Sequence, residues 1–78
     1  MYYTYVLRSK VDGNLYIGFA HDLQRRLEEH THGEVAATHS RLPVELVYYE
    51  ACLKKDRALA REKYFKTGYG RRFLSERL

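Results

Sequence analysis

Five side chains of this sequence carry types and spacings that suit phosphate chemistry. Tyr5 lies in Tyr3-Thr4-Tyr5-Val6-Leu7 and Tyr16 in Tyr16-Ile17-Gly18. Arg26 and His30 stand four apart in Asp22-Leu23-Gln24-Arg25-Arg26-Leu27-Glu28-Glu29-His30, and Glu62 stands in Ala58-Leu59-Ala60-Arg61-Glu62-Lys63. A planar guanidinium can take two phosphate oxygens and offset charge that develops on phosphorus. A lone carboxylate can hold a hard divalent cation, because Mg²⁺ often uses one or two carboxylates plus waters and substrate oxygens. An imidazole can donate a hydrogen bond or shuttle a proton.

Each residue also has a structural alternative. Glu62 falls between Leu59 and Phe65 at helical spacing, where an unpaired charge would be costly. It can instead sit at the edge of that stripe and pair with Arg61 or Lys66. Arg26 can form a surface ion pair with Asp22 or Glu29, and strand tyrosines are ordinary core residues, the expected role of Tyr2, Tyr3, Tyr48 and Tyr49. A protonated His30 at a helix end would interact well with the helix dipole. Arg25 points elsewhere on the helix and is expected to face solvent. His21, His32 and His39 show no zinc-ligand spacing.

These residues need elements to hold them. Residues 2–8 are aromatic and β-branched and predict a strand; Asp12-Gly13 predicts a turn and residues 14–19 a second strand. Leu15, Ile17 and Phe19 then share one face, with Tyr16 and Gly18 on the other. In a hairpin with an odd pairing sum, Tyr5 and Tyr16 share a face. A sum of 25 leaves them roughly 13 Å apart, whereas 21 or 23 brings them together. Asp22 is a candidate N-cap for a helix with Leu23 and Leu27 inward. Residues 31–42 read as a loop, and Pro43 leads into a third strand, Val44-Glu45-Leu46-Val47-Tyr48-Tyr49. A second helix opens at Lys55 or Asp56 and runs to about Thr67, with Ala58, Leu59 and Phe65 as its apolar positions. Gly68 stops it, and a short last helix over Gly70–Leu78 carries Phe73, Leu74 and Leu78. The expected class is α+β, a small three-stranded antiparallel sheet packed with helices in the order β-β-α-β-α-α.

Length and composition narrow the function further. The 78 residues allow one small domain, 1–78. The lone Cys52 cannot form an internal disulfide, so a reducing, cytoplasmic setting and the absence of CxxC metal sites are expected. No apolar run reaches the ~20 residues of a membrane span, and no signal peptide is expected. The net charge of +4 is uneven: residues 54–78 carry nine Lys or Arg against three acids, and residues 1–53 five against seven. A basic last third, with Lys63, Lys66, Arg71 and Arg72, suits a polyanion; a solvated helical surface would carry similar charge.

Taken in order, Tyr5, Tyr16-Ile17-Gly18, Arg26, His30, the Pro43–Tyr48 strand and Glu62 resemble the GIY-YIG nuclease superfamily over essentially the whole chain. The similarity is to a small stand-alone bacterial member, and to the nuclease module of the excinuclease subunit UvrC and of some homing endonucleases. The first motif departs from the pattern, with Tyr3-Thr4 in place of Gly-Ile. Phe19 stands where many members carry a polar or basic residue. The resemblance implies a DNA-cleaving endonuclease, linked to DNA repair, that uses one Mg²⁺ or Mn²⁺. It implies metal binding by Glu62, scissile-phosphate contact by Arg26, and positioning or deprotonation of water by Tyr5 and Tyr16. His30 assists in some branches only. Single-stranded, duplex or branched DNA and RNA all remain open as substrates. So do a non-cleaving nucleic-acid-binding module and a subunit targeted by a protein partner. The oligomeric state is not legible.

Overall fold

A computed structural model describes residues 1–78. Strand β1 (Tyr2–Ser9) is followed by β2 (Leu15–Ala20), helix α1 (Leu23–Thr31), a short 3₁₀ turn (His39–Arg41), β3 (Val44–Cys52), α2 (Lys55–Phe65) and α3 (Gly68–Ser75). The sheet order is β2-β1-β3, antiparallel throughout. This is the α+β arrangement expected, with the last two helices shifted: α2 ends two residues early and α3 starts at Gly68 rather than Gly70. The Thr67 hydroxyl explains that shift, because it accepts from the Gly70 amide at 3.1 Å and caps α3.

β1 is the central strand and is covered on both faces, so Thr4, Tyr5, Val6 and Leu7 are all buried. Val6 joins Ile17, Phe65 and Leu74 in the core beneath α2 and α3. Tyr5 and Leu7 join Ala20, Tyr16, Leu23 and Leu27 beneath α1. The Thr4 hydroxyl donates to the Ala58 carbonyl at 2.7 Å, which pins α2 over β1.

One expectation for α2 is corrected. Leu59 is 40% exposed rather than core. Its place on the inward stripe is taken by Arg61, three residues from Ala58 and four from Phe65. The guanidinium donates to Glu50 of β3 through Nε (2.8 Å) and a terminal nitrogen (2.7 Å), while Tyr48 donates to the same carboxylate at 2.8 Å. Its other surface lies 4.6–5.0 Å from the ring centres of Tyr64, Phe65 and Phe73. A guanidinium paired with a carboxylate through two N–H groups and stacked on rings can occupy a half-buried position that an unpaired charge could not. This anchor fixes the rotation of α2. Residue 62, about 100° further round the helix, is thereby turned off the inward stripe.

Candidate active site

The β1–β2 register pairs Tyr5 with Gly18 and Leu7 with Tyr16, a pairing sum of 23. Tyr5 and Tyr16 are therefore close neighbours on the α1 face, with ring centres 6.3 Å apart. The glycine of Tyr16-Ile17-Gly18 has a definite task. A Cβ there would overlap the Cζ and hydroxyl of Tyr5 and come within 2.8 Å of its Cε1. The Tyr5 ring thus lies flat across the β2 backbone and carries its hydroxyl to the free edge of the sheet. β2 is that edge strand.

α1 brings the next two residues. Asp22 accepts from the Arg25 amide at 3.1 Å, the N-cap expected from the sequence. Leu23, Leu27 and His30 then form one inward stripe at i, i+4 and i+7. His30 is completely buried and packs edge-on to both tyrosines, 5.7 Å from Tyr5 and 5.2 Å from Tyr16 between ring centres. Its Nε2 meets the Tyr5 hydroxyl at 2.8 Å, and its Nδ1 meets the Thr38 hydroxyl at 2.7 Å. Burial and the neighbouring Arg26 charge hold its pKa below the usual imidazole value. The dipole-stabilised, protonated His30 considered from sequence is therefore replaced by a buried neutral one.

Arg26 is half-exposed and bound to Glu29 at 2.9 Å, the ion pair expected as its structural alternative. Arg25, 78% exposed at its side chain, reaches the same carboxylate at 3.6 Å. The Arg26 guanidinium also lies beside the Tyr5 hydroxyl. Burial pushes the Tyr5 pKa up to about 12, while Arg26 pulls it down. Since the Arg26 donors face the Tyr5 oxygen, the phenolic proton points to His30 Nε2. The imidazole then carries its own proton on Nδ1 and donates it to Thr38.

Glu62 approaches from the opposite layer, since α2 lies on the other face of the sheet from α1. Its field still reaches the Tyr5 hydroxyl at the β2 edge. Its carboxylate is 24% exposed and accepts from Lys66 through Oε2 at 3.2 Å, leaving Oε1 without a protein partner. No three His, Cys, Asp or Glu side chains cluster as a metal site. A partly exposed carboxylate with a free oxygen still fits one hard divalent cation completed by water and phosphate oxygens. An open groove of about 300 Å³ adjoins the site, lined by Arg26, Arg25, Phe19, Ala20, His21, Asp22 and Glu29. Of the five sequence candidates, only Arg26 lines it.

The remaining candidates, Lys63, Lys66, Arg71 and Arg72, lie on α2, α3 and the turn between them, and Lys66 holds the Glu62 carboxylate. Sequence reasoning missed Thr38. It lies in a stretch without periodicity, and its only signal would have been a hydroxyl within loop reach of His30.

Comparison with known proteins identifies the family. Residues 1–74 match the family model described as the GIY-YIG catalytic domain. The chain is 46% identical over 67 residues to a UPF0213 protein of Bacillus pumilus (strain SAFR-032), covering 85% of this chain and 67% of that one. It is 43% identical over 67 residues to the UPF0213 protein SSP2268 of Staphylococcus saprophyticus, covering 85% and 80%. The solution NMR structure of the UPF0213 protein BH0048 from Bacillus halodurans superposes with a TM-score of 0.60 at 31% identity, over 97% of this chain and 84% of that one. Matched over residues 1–74, the chain belongs to the GIY-YIG nuclease family.

Proposed function

We propose that the protein is an endonuclease that hydrolyses phosphodiester bonds in DNA with the help of one divalent metal ion. One observation supports this reading: at the β2 edge the Tyr5 hydroxyl is bonded to His30 Nε2 at 2.8 Å with the Arg26 guanidinium beside it. Structural ion pairs alone give no reason for an arginine to meet a buried Tyr–His pair there.

Glu62 would hold Mg²⁺ or Mn²⁺ through its free oxygen. Such an ion, when bound, polarises a phosphate oxygen and stabilises the leaving 3′-oxygen. The rest falls to the chain's own residues. Arg26 exchanges Glu29 and Tyr5 for the scissile phosphate, where its fork offsets the added negative charge. That movement uncovers the Tyr5 oxygen. Tyr16, half-exposed, holds the attacking water in line. A phenol whose pKa is about 12 stays protonated near neutrality, so Tyr5 does not act as a standing base. It instead accepts the water proton while handing its own to His30 Nε2. Thr38, holding Nδ1–H, keeps Nε2 open for that proton. The products are a 5′-phosphate and a 3′-hydroxyl.

Incubating the purified protein with labelled single-stranded, duplex and branched DNA, and RNA, with and without Mn²⁺ tests the reading. Metal-dependent cleavage that disappears in Glu62→Ala supports it. Binding without cleavage of any substrate supports instead a nucleic-acid-binding module, a reading favoured by the uncompensated cations of residues 63–72.

A further inference from the structure

Residues 63–72, Lys-Tyr-Phe-Lys-Thr-Gly-Tyr-Gly-Arg-Arg, contain four cations and no acid. Lys66 pairs with Glu62, whereas Lys63, Arg71 and Arg72 make no ion pair. Within this segment Tyr69 is 77% exposed. It stands three residues before Arg72 on α3, so the two side chains share one helix face. Together with Thr67 and Gly68 they line an open groove of about 530 Å³, separate from the groove beside Arg26. The Thr67 oxygen is already committed to the Gly70 amide. The groove's binding capacity therefore lies in a bare phenol ring and an unpaired guanidinium rather than in the helix end.

A ring of this size beside unpaired cations suits single-stranded nucleic acid. Bases stack on aromatic side chains without regard to sequence while the cations follow the backbone. A base inside a duplex is already stacked on both sides and cannot use the ring. The groove is linked in sequence to the proposed metal-holding residue. The Lys66 ammonium is 3.2 Å from Glu62, and its backbone leads directly into Thr67. Resting on the reading that the chain acts on nucleic acid, we propose that Tyr69 and Arg72 form a stacking subsite for an unpaired nucleotide. This subsite directs the protein to single-stranded or frayed DNA.

The test is fluorescence anisotropy in EDTA, so that binding is read without cleavage. The probes are a labelled oligothymidylate and a blunt duplex of equal length, and the proteins are the parent, Tyr69→Ala and Tyr69→Phe. Because the side chain is exposed, thermal melting should be unchanged in both variants. The expected result is a roughly ten-fold weaker Kd for the single strand in Tyr69→Ala. Tyr69→Phe, which keeps the ring, should bind it like the parent, and duplex affinity should be the same in all three. An equal loss on both probes, or no loss on the single strand, overturns the inference. So does a change in sedimentation of Tyr69→Ala alone, which would make the groove an interface between copies. Cleavage assayed in parallel keeps the two readings apart. Glu62-dependent cleavage with no Tyr69 effect defeats this inference alone, and a Tyr69 effect with no cleavage defeats the nuclease reading alone.

Discussion

Gly18→Ala adds one methyl group at the point where the Tyr5 ring crosses β2. The new Cβ would overlap Cζ and the hydroxyl of Tyr5 and lie within 2.8 Å of Cε1. The ring has little room to retreat, because Tyr5 is completely buried between Tyr16 and His30. Two responses are available. The strands can part locally, an overpacking cost of about 1–3 kcal/mol. Alternatively the ring can tilt away and break its bond to His30, leaving a buried nitrogen unpaired at a cost of about 1–3 kcal/mol. A chain of 78 residues has a total stability of roughly 4–12 kcal/mol, so either response is a large fraction of it. Urea unfolding followed by far-ultraviolet circular dichroism reads the effect. With an m-value near 1 kcal/mol per molar, a loss of about 2 kcal/mol moves the midpoint down by about 2 M. The cycle with Tyr5→Leu isolates the cause: with the ring gone, Gly18→Ala should cost under about 0.5 kcal/mol. A Gly18→Ala midpoint equal to the parent's, or an equal cost in both backgrounds, would refute the account of why glycine stands there.

Three further outcomes are expected. Arg26→Ala removes a contact that strengthens as charge builds on phosphorus, so the single-turnover rate should fall roughly 10²–10³-fold with a smaller change in binding. His30 has a pKa lowered by burial, so its neutral form is favoured in the fold. Stability linked to it is fully present above the unfolded imidazole value of about 6.5 and is lost as pH falls through the lower folded value. Cleavage should lose rate over the same acid range and stay flat from about pH 7 to 9, since Tyr5 titrates only near 12; a pH–rate profile with a basic limb near pH 8 would count against the Tyr5–His30 relay. Neutralising Arg71 and Arg72 together should flatten the slope of log Kobs against log salt by about two units, measured by titration on one oligonucleotide.

Much of the site was legible because strand parity and helical spacing are rigid rules. An odd pairing sum placed Tyr5 and Tyr16 on one face whichever turn formed. Which odd sum formed was not legible. The turn is set by local bonds, among them the Asn14 amide to Asp12 Oδ1 at 2.9 Å and the Gly13 amide to the Ser9 carbonyl at 2.9 Å. His30 continues the Leu23/Leu27 stripe at i+7. A titratable side chain there read as a protonated helix-end group because its two partners lie outside the helix, Tyr5 on β1 and Thr38 in the following loop. In α2, apolarity pointed to Leu59. The inward position went to Arg61, because Glu50 eleven residues earlier supplies a paired carboxylate. Such a pairing arises only when β3 and α2 pack, so no local pattern contains it.

The central claim is that Glu62 serves the chemistry rather than the fold. Glu62→Gln keeps the size and hydrogen-bonding capacity of the side chain and removes its charge. Cleavage of labelled DNA in Mn²⁺ and binding of the same DNA in EDTA should be measured on parent and variant together. The account predicts that cleavage is abolished while affinity is equal or slightly higher, because one negative charge facing the phosphates is gone. Metal-dependent cleavage by Glu62→Gln at the parent's rate would contradict it.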